Sequence, residues 1–143
     1  MNIIKWRDTY NTGVDQFDRE HHKIVELINA MFLAIRNKSN LEEVSPLLEE
    51  VLDYTSYHFD NEEKVMRDTN YPELETHIEE HRKLKEQSLQ FKELLKENFS
   101  EQSIKFYRFL RDWLINHILD CDKKYYSHIL AIQNKTSPAP DSL

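Results

Sequence analysis

Apolar residues recur along four long stretches of the chain at alternating intervals of three and four positions, the spacing of one face of an α-helix. The first stretch carries Phe17, His21, Ile24, Ile28, Met31 and Ile35 and is closed by Asn37-Lys38-Ser39-Asn40. A second runs from Leu41, with Pro46 in its first turns, through Val44, Leu48, Val51, Thr55, His58 and Glu62 to Asp68-Thr69-Asn70. The third is predicted to begin at Pro72, a residue suited to a first helical turn. It carries Leu74, His77, His81, Leu84, Ser88, Phe91 and Leu95 before Asn98-Phe99-Ser100. The fourth, with Ser100 as its predicted cap, carries Ile104, Tyr107, Leu110, Leu114, His117 and Cys121.

Outside these stretches the pattern changes. Residues before Asp15 show no period and Asn11-Thr12-Gly13 reads as a turn, so an extended arm anchored by Trp6 is expected. A shorter amphipathic piece, Lys124 to Gln133, is expected to dock as a last helix, and residues 134–143 to be a disordered tail. Four helices of roughly 20 residues joined by short connections favour antiparallel neighbours. The expected fold is all-α: an antiparallel up-down-up-down four-helix bundle, with an extended N-terminal arm and a short C-terminal helix. A chain of 143 residues suits one core, expected to span residues 1–133. A single glycine and four prolines leave too little turn chemistry for an all-β alternative.

Charge narrows the partners. With 31% charged residues and a formal net charge of -7, the surface should repel nucleic acid and anionic lipid. The opening MNIIKWRDTYNTG lacks the apolar run of a secretory signal, and nowhere do about 18 consecutive apolar residues occur, as a membrane span would need. The single cysteine, Cys121, excludes an intramolecular disulfide. A soluble, cytoplasmic protein is expected, with no membrane or nucleic-acid partner and any protein partner unknown.

The chemistry lies in the seams themselves. Five histidines and a glutamate, His21, His58, Glu62, His77, His81 and His117, occupy positions where leucine or isoleucine is expected. An unpaired buried carboxylate or imidazole costs several kcal/mol, a large part of the ~5–15 kcal/mol by which a domain is stable. Bound cations would supply the missing partner. The six fall near the start of helix one, the end of two, the start of three and the end of four, which meet in an antiparallel bundle. His58 with Glu62, and His77 with His81, are i,i+4 pairs only about 40° apart around a helix. His117 and Asp122 are i,i+5, about 140° apart, so a helix end, widening or bulge near Cys121 is expected if both face the core. Asp120, at i,i+3, competes with Asp122 on geometry. Seven candidate ligands exceed the four of a closed zinc site, which implies two ions. Imidazole suits zinc, copper, iron and nickel, bridging carboxylates suit a coupled pair, and no cysteine set is present to favour a soft-metal centre. Iron is the favoured metal.

The stretches DREH ending at His21, HFDNEE from His58, YPELETHIEEH ending at His81 and WLINHILDCDK from Trp113 resemble the hemerythrin family in its single-domain bacterial form. The resemblance spans Trp6 to Tyr125 and favours Asp122 over Asp120. It implies that His77, His81 and His117 hold one iron, that His21 and His58 hold the other, and that Glu62 and Asp122 bridge both, with an oxo or hydroxo group between the ions. It further implies one open position for dioxygen on the second iron, where two electrons pass to O2 and the bound molecule is later released intact. That is reversible O2 binding for storage, transport or delivery rather than catalysis, so no enzyme is expected. By similarity Ile24, Phe59, Trp113, Leu114 and Ile118 wall the open position.

Physical reasons for reversibility stand beside the resemblance. The paired Glu-x-x-His motifs of carboxylate-rich di-iron proteins are lacking, and five neutral imidazoles stabilise high-valent iron less than added carboxylates would. Apolar walls also exclude water and stray protons. Two competing functions remain: an oxygen or redox sensor, and a di-iron enzyme with peroxidase, ferroxidase or nitric-oxide-handling activity. His22 and His128 fall outside the spacing and are expected on the surface. Asp18 is expected as a cap, Tyr54 as core or a neighbour of the ligands, and Cys121 as a small buried hydrophobe.

Overall fold

A computed structural model describes residues 3–37, 40–117 and 123–136. Five helices follow a 3-10 turn at Asp8–Tyr10: α1 Asp15–Arg36, α2 Leu41–Asp68, α3 Leu74–Glu97, α4 Phe99–Asn116 and α5 Lys123–Thr136. No strand occurs among the described residues. Helices α2 and α4 each pack against both α1 and α3, which with the short connections is the up-down-up-down bundle.

Local chemistry sets the helix ends, in places a residue or two from where the pattern put them. Asn40 caps α2, its side chain accepting from the Glu43 N–H at 3.0 Å. Asn98, not Ser100, caps α4. Its Oδ1 accepts from the Glu101 N–H at 3.3 Å while its Nδ2 donates to Glu101 Oε2 at 3.1 Å, and this reciprocal pairing places Ser100 inside the first turn. Helix α3 starts at Leu74 rather than Pro72 because α2 ends in a Schellman turn. Asn70 takes φ 56° there, its N–H reaching Arg67 O at 3.2 Å and that of Tyr71 reaching Met66 O at 2.9 Å. The chain therefore reverses before Pro72. Helix α5 runs past the expected Gln133 to Thr136, and the rest of the expected tail lies outside the described residues.

The arm is tied down by more than Trp6. Ile4 is buried, its N–H donating to Asn29 Oδ1 at 2.8 Å and its carbonyl accepting from Asn29 Nδ2 at 2.9 Å. Trp6 is half-buried, lies over exposed His22 with ring centroids 4.0 Å apart, and donates its indole N–H to Asn11 at 2.9 Å. Gly13 sits at φ +89°, a left-handed conformation that favours glycine. Asp18 accepts from the N–H and hydroxyl of Thr12 at 2.7 and 2.8 Å, which makes it the fastener between this turn and α1.

Apolar packing falls into two clusters. The larger one includes Ile24, Ile28, Met31, Val44, Val51, Leu95, Phe106 and Leu110. On α4 it takes Phe106 rather than Ile104, which is only half-buried. The smaller cluster, Phe17, Met66, Tyr71, Tyr125, Tyr126 and Ile129, is closed by α5. Along α1 and α2 the polar seam residues lie in sequence between members of the two clusters, so the histidine layer is sealed from both sides.

Candidate metal centre

His21, His58, Glu62, His77, His81 and His117 are all buried, and Glu62 has no exposed surface. The bundle brings them together in two groups that share Glu62: His77, His81 and His117 on one side, His21 and His58 on the other. Within each group the donor atoms lie within 4.8 Å of one another. The three-histidine side is nearly an equilateral triangle of rings, with centroids 5.2, 5.3 and 5.2 Å apart. On the other side His21 and His58 stand 4.6 Å apart.

Distances around Glu62 test whether a metal fits. Its Oε1 lies 3.2 Å from His58 Nε2, 3.5 Å from His81 Nε2 and 4.0 Å from His117 Nε2. Two donors each ~2.1 Å from a shared ion stand roughly 3.0–3.5 Å apart, so the Glu62–His58 and Glu62–His81 spacings are each those of two ligands on one cation, a different cation for each pair. Among the described residues neither Glu62 Oε1 nor His81 Nε2, both buried, has a hydrogen-bond partner. Such atoms are costly to desolvate unless something binds them. Burial alone would push the Glu62 carboxyl up, but the His58 charge and the His117, His58 and His81 rings directed at it hold it well below the usual range. It is an anion that cations would bind.

Outward-facing atoms are braced. His58 Nδ1 lies 2.6 Å from Glu20 Oε1, and His81 Nδ1 lies 3.0 Å from Glu63 Oε2. Burial raises the Glu20 carboxyl, yet hydrogen bonds from His58, Gln16 and Asn61 and the His58 charge outweigh it and keep Glu20 below its ordinary value. The hydrogen bond with His81 lowers Glu63, against its partial burial and helped by the charges of His81, Lys85 and Arg67. Tyr126 donates its hydroxyl to Glu62 Oε2 at 2.9 Å and lies 3.3 Å from His21 Nε2, while the Tyr125 hydroxyl reaches the Glu62 carbonyl at 3.3 Å. Sequence reasoning missed Glu20, Glu63 and Tyr126. A ligating histidine almost always donates its second ring N–H to a carboxylate or carbonyl, so carboxylate partners could be anticipated, but the fold decides which: Glu20 serves His58, 38 residues away, and Glu63 serves His81, 18 residues away.

Of the five residues expected to wall the open position, four are described. Ile24, Phe59 and Leu114 are buried, Phe59 stacks on His81 with centroids 3.7 Å apart and planes 4° apart, and half-buried Trp113 stacks on His117 at 4.7 Å. Asp122, Ile118, Asp120 and Cys121 lie outside the described residues. Regular α4 stops at Asn116 and His117 winds in a wider π turn, while the distortion expected near Cys121 lies outside the described residues. His22 is exposed, as expected. His128 is half-buried instead, its Nε2 held 2.9 Å from Thr69 O beside the Tyr71 ring, because α5 packs on the α2 end. Tyr54 is half-buried against the larger cluster.

Fold and donor set together define a helical bundle with a buried imidazole and carboxylate cluster able to hold metal. The hemerythrin HHE cation binding domain matches residues 12–129, and the chain belongs to the hemerythrin family. Relatives include a bacteriohemerythrin of Stenotrophomonas maltophilia, 30% identical over 94% of this chain and 87% of its own. One from Clostridium acetobutylicum is 27% identical over 86% of this chain and 98% of its own. A hemerythrin-like protein of Naegleria gruberi is 29% identical over 85% of this chain and 90% of its own. No helix among the described residues is long and apolar enough to cross a membrane.

Proposed function

We propose that this protein binds dioxygen reversibly at a pair of iron ions and does not turn it over. The observation that carries the reading is Glu62, a buried carboxylate shared by a three-histidine and a two-histidine donor group. In this reading His77, His81 and His117 hold one iron, His21 and His58 the other, and Glu62 and Asp122 bridge them. A bound ferrous pair supplies the two electrons that reversible attachment of dioxygen needs. The described donors number four on one side and three on the other, which leaves the two-histidine side the more open.

The remaining work belongs to the chain. Glu62 would offset part of the charge of both ions at once, and the braces on His58 and His81 aim their Nε2 atoms inward. Ile24, Phe59, Trp113, Leu114 and Ile118 would keep water away from the open position, and water carries the protons that make loss of oxygen irreversible. The lone cysteine supports a cytoplasmic location, and residues 1–133 form the working domain.

Loading the purified chain with ferrous iron in the absence of air, adding O2 and then removing it under vacuum tests the proposal. Absorption bands that appear and vanish over repeated cycles, at two iron ions per chain, are expected. An irreversible change without turnover would instead favour sensing, and sustained consumption of O2, peroxide or nitric oxide an enzyme.

A further inference from the structure

We propose that Glu20 is the positioning residue of the two-histidine side, fixing His58 and thereby the affinity of one ion and not the other. The inference rests on the two-ion reading of the site. Glu20 stands beside His21 in sequence but reaches across from α1 to His58 on α2, 2.6 Å from Nδ1. It is 5% exposed, and its second oxygen is held from two directions, by Asn61 Nδ2 at 2.9 Å and Gln16 Nε2 at 3.1 Å. A carboxylate gripped on both oxygens cannot swing. The geometry thus places a ring proton of His58 on Nδ1, toward Glu20, and directs Nε2 at the shared Glu62, 3.2 Å away, where a bound ion would take up the Nε2 lone pair.

On the opposite side the matching contact is looser. Glu63 lies 3.0 Å from His81 Nδ1, its side chain is 15% exposed, and Arg67 on the surface stands 4.0 Å from its other oxygen. Solvent and an exposed arginine compete for that carboxylate. The asymmetry predicts that removing the charge of Glu20 weakens a single ion sharply, whereas the same change at Glu63 has the smaller effect. Loss of such an outer partner typically costs 10–100-fold in metal affinity.

Cobalt(II) titration of the metal-free full chain by calorimetry reads the two ions separately. Glu20→Gln, which keeps the side chain's shape, is expected to weaken one of the two binding steps about 10–100-fold and to leave the other within about twofold. Thermal unfolding of the metal-free form checks that the bundle is intact. A general loss of structure would weaken both steps together, so the split is the signature of positioning. In the cobalt-loaded protein, the exchangeable ring N–H resonance of His58 should shift in the variant while those of His77 and His117 stay in place. Should Glu20→Gln fail to fold, Asn61→Ala removes one of the donors that hold Glu20 and is expected to give the same split with a smaller loss. Two cobalt ions bound by the variant as tightly as by the unaltered chain would overturn the role of Glu20 alone. Fewer than two bound by the unaltered chain would overturn the two-ion reading, and this role with it.

Discussion

From Ile24 to Phe32 on α1, and from Val44 to Val51 on α2, every buried side chain is apolar, whereas toward the other ends of the same helices His21, His58 and Glu62 take the inward positions. The two regions share a backbone geometry and differ in what stabilises them. Around Met31 and Phe106 burial itself is favourable, at roughly 25 cal/mol per Å2 of apolar surface, and needs no partner. Around Glu62 the same depth is a penalty until a charge of opposite sign arrives. One region is stable by its own composition, and the other, on the proposed reading, by the ions it would hold.

Exchanging Glu62 for alanine strikes the second region hardest. Iron content is expected to fall from two per chain to near zero, and the iron-loaded protein to lose about 3–5 kcal/mol, since a buried charged network loses its centre. Metal analysis with chemical denaturation measures both, and retention of two irons would remove Glu62 from the site. Met31→Ala, in the first region, should cost about 2–5 kcal/mol, and by the same amount with or without iron. A loss that depended on iron would mean that the regions are not separable.

Acid and alkali should part them next. Glu20, Glu62 and Glu63 all titrate below their ordinary 4.5 in the fold. Each therefore adds stability that is present above that value and is lost as pH falls through the depressed one. Tyr107, in the apolar region, is pushed above its ordinary 10.0 by burial, against the nearby Arg111 charge. Its contribution is complete below that value and is lost as pH rises through the raised one. Hydrogen exchange on metal-free protein should accordingly show α5 and the start of α1 opening first in acid, and the α1–α4 contact around Tyr107 first in alkali. Leu114→Ala, at the boundary, should accelerate loss of reversible oxygenation several-fold, read as decay of the oxygenated spectrum; an unchanged rate would remove Leu114 from the wall. Asn98→Ala, at the cap of α4 far from the donor groups, should cost about 1 kcal/mol with iron binding unaffected.

Helical seams were legible because burying one face leaves a spacing of three and four that local detail does not erase. All six inward residues expected on α2, from Val44 to Glu62, are buried. Helix ends were less legible. Short polar residues compete for the cap, and the choice of Asn98 over Ser100 turned on which could pair reciprocally with Glu101. The histidines stood out as polar intruders in an apolar pattern. Glu20 did not, because a glutamate beside a histidine looks like any surface acid, and its partner is 38 residues away. On α4 the pattern named Ile104 as inward, and packing against Phe91 and Phe109 puts Phe106 there instead.

Tyr125 and Tyr126 hold one residue, Glu62, by its carbonyl and by its carboxylate. Fraying of the last helix and loosening of the group common to both donor sides are therefore a single event. Whatever steadies α5 from outside also steadies the anion at the heart of the bundle.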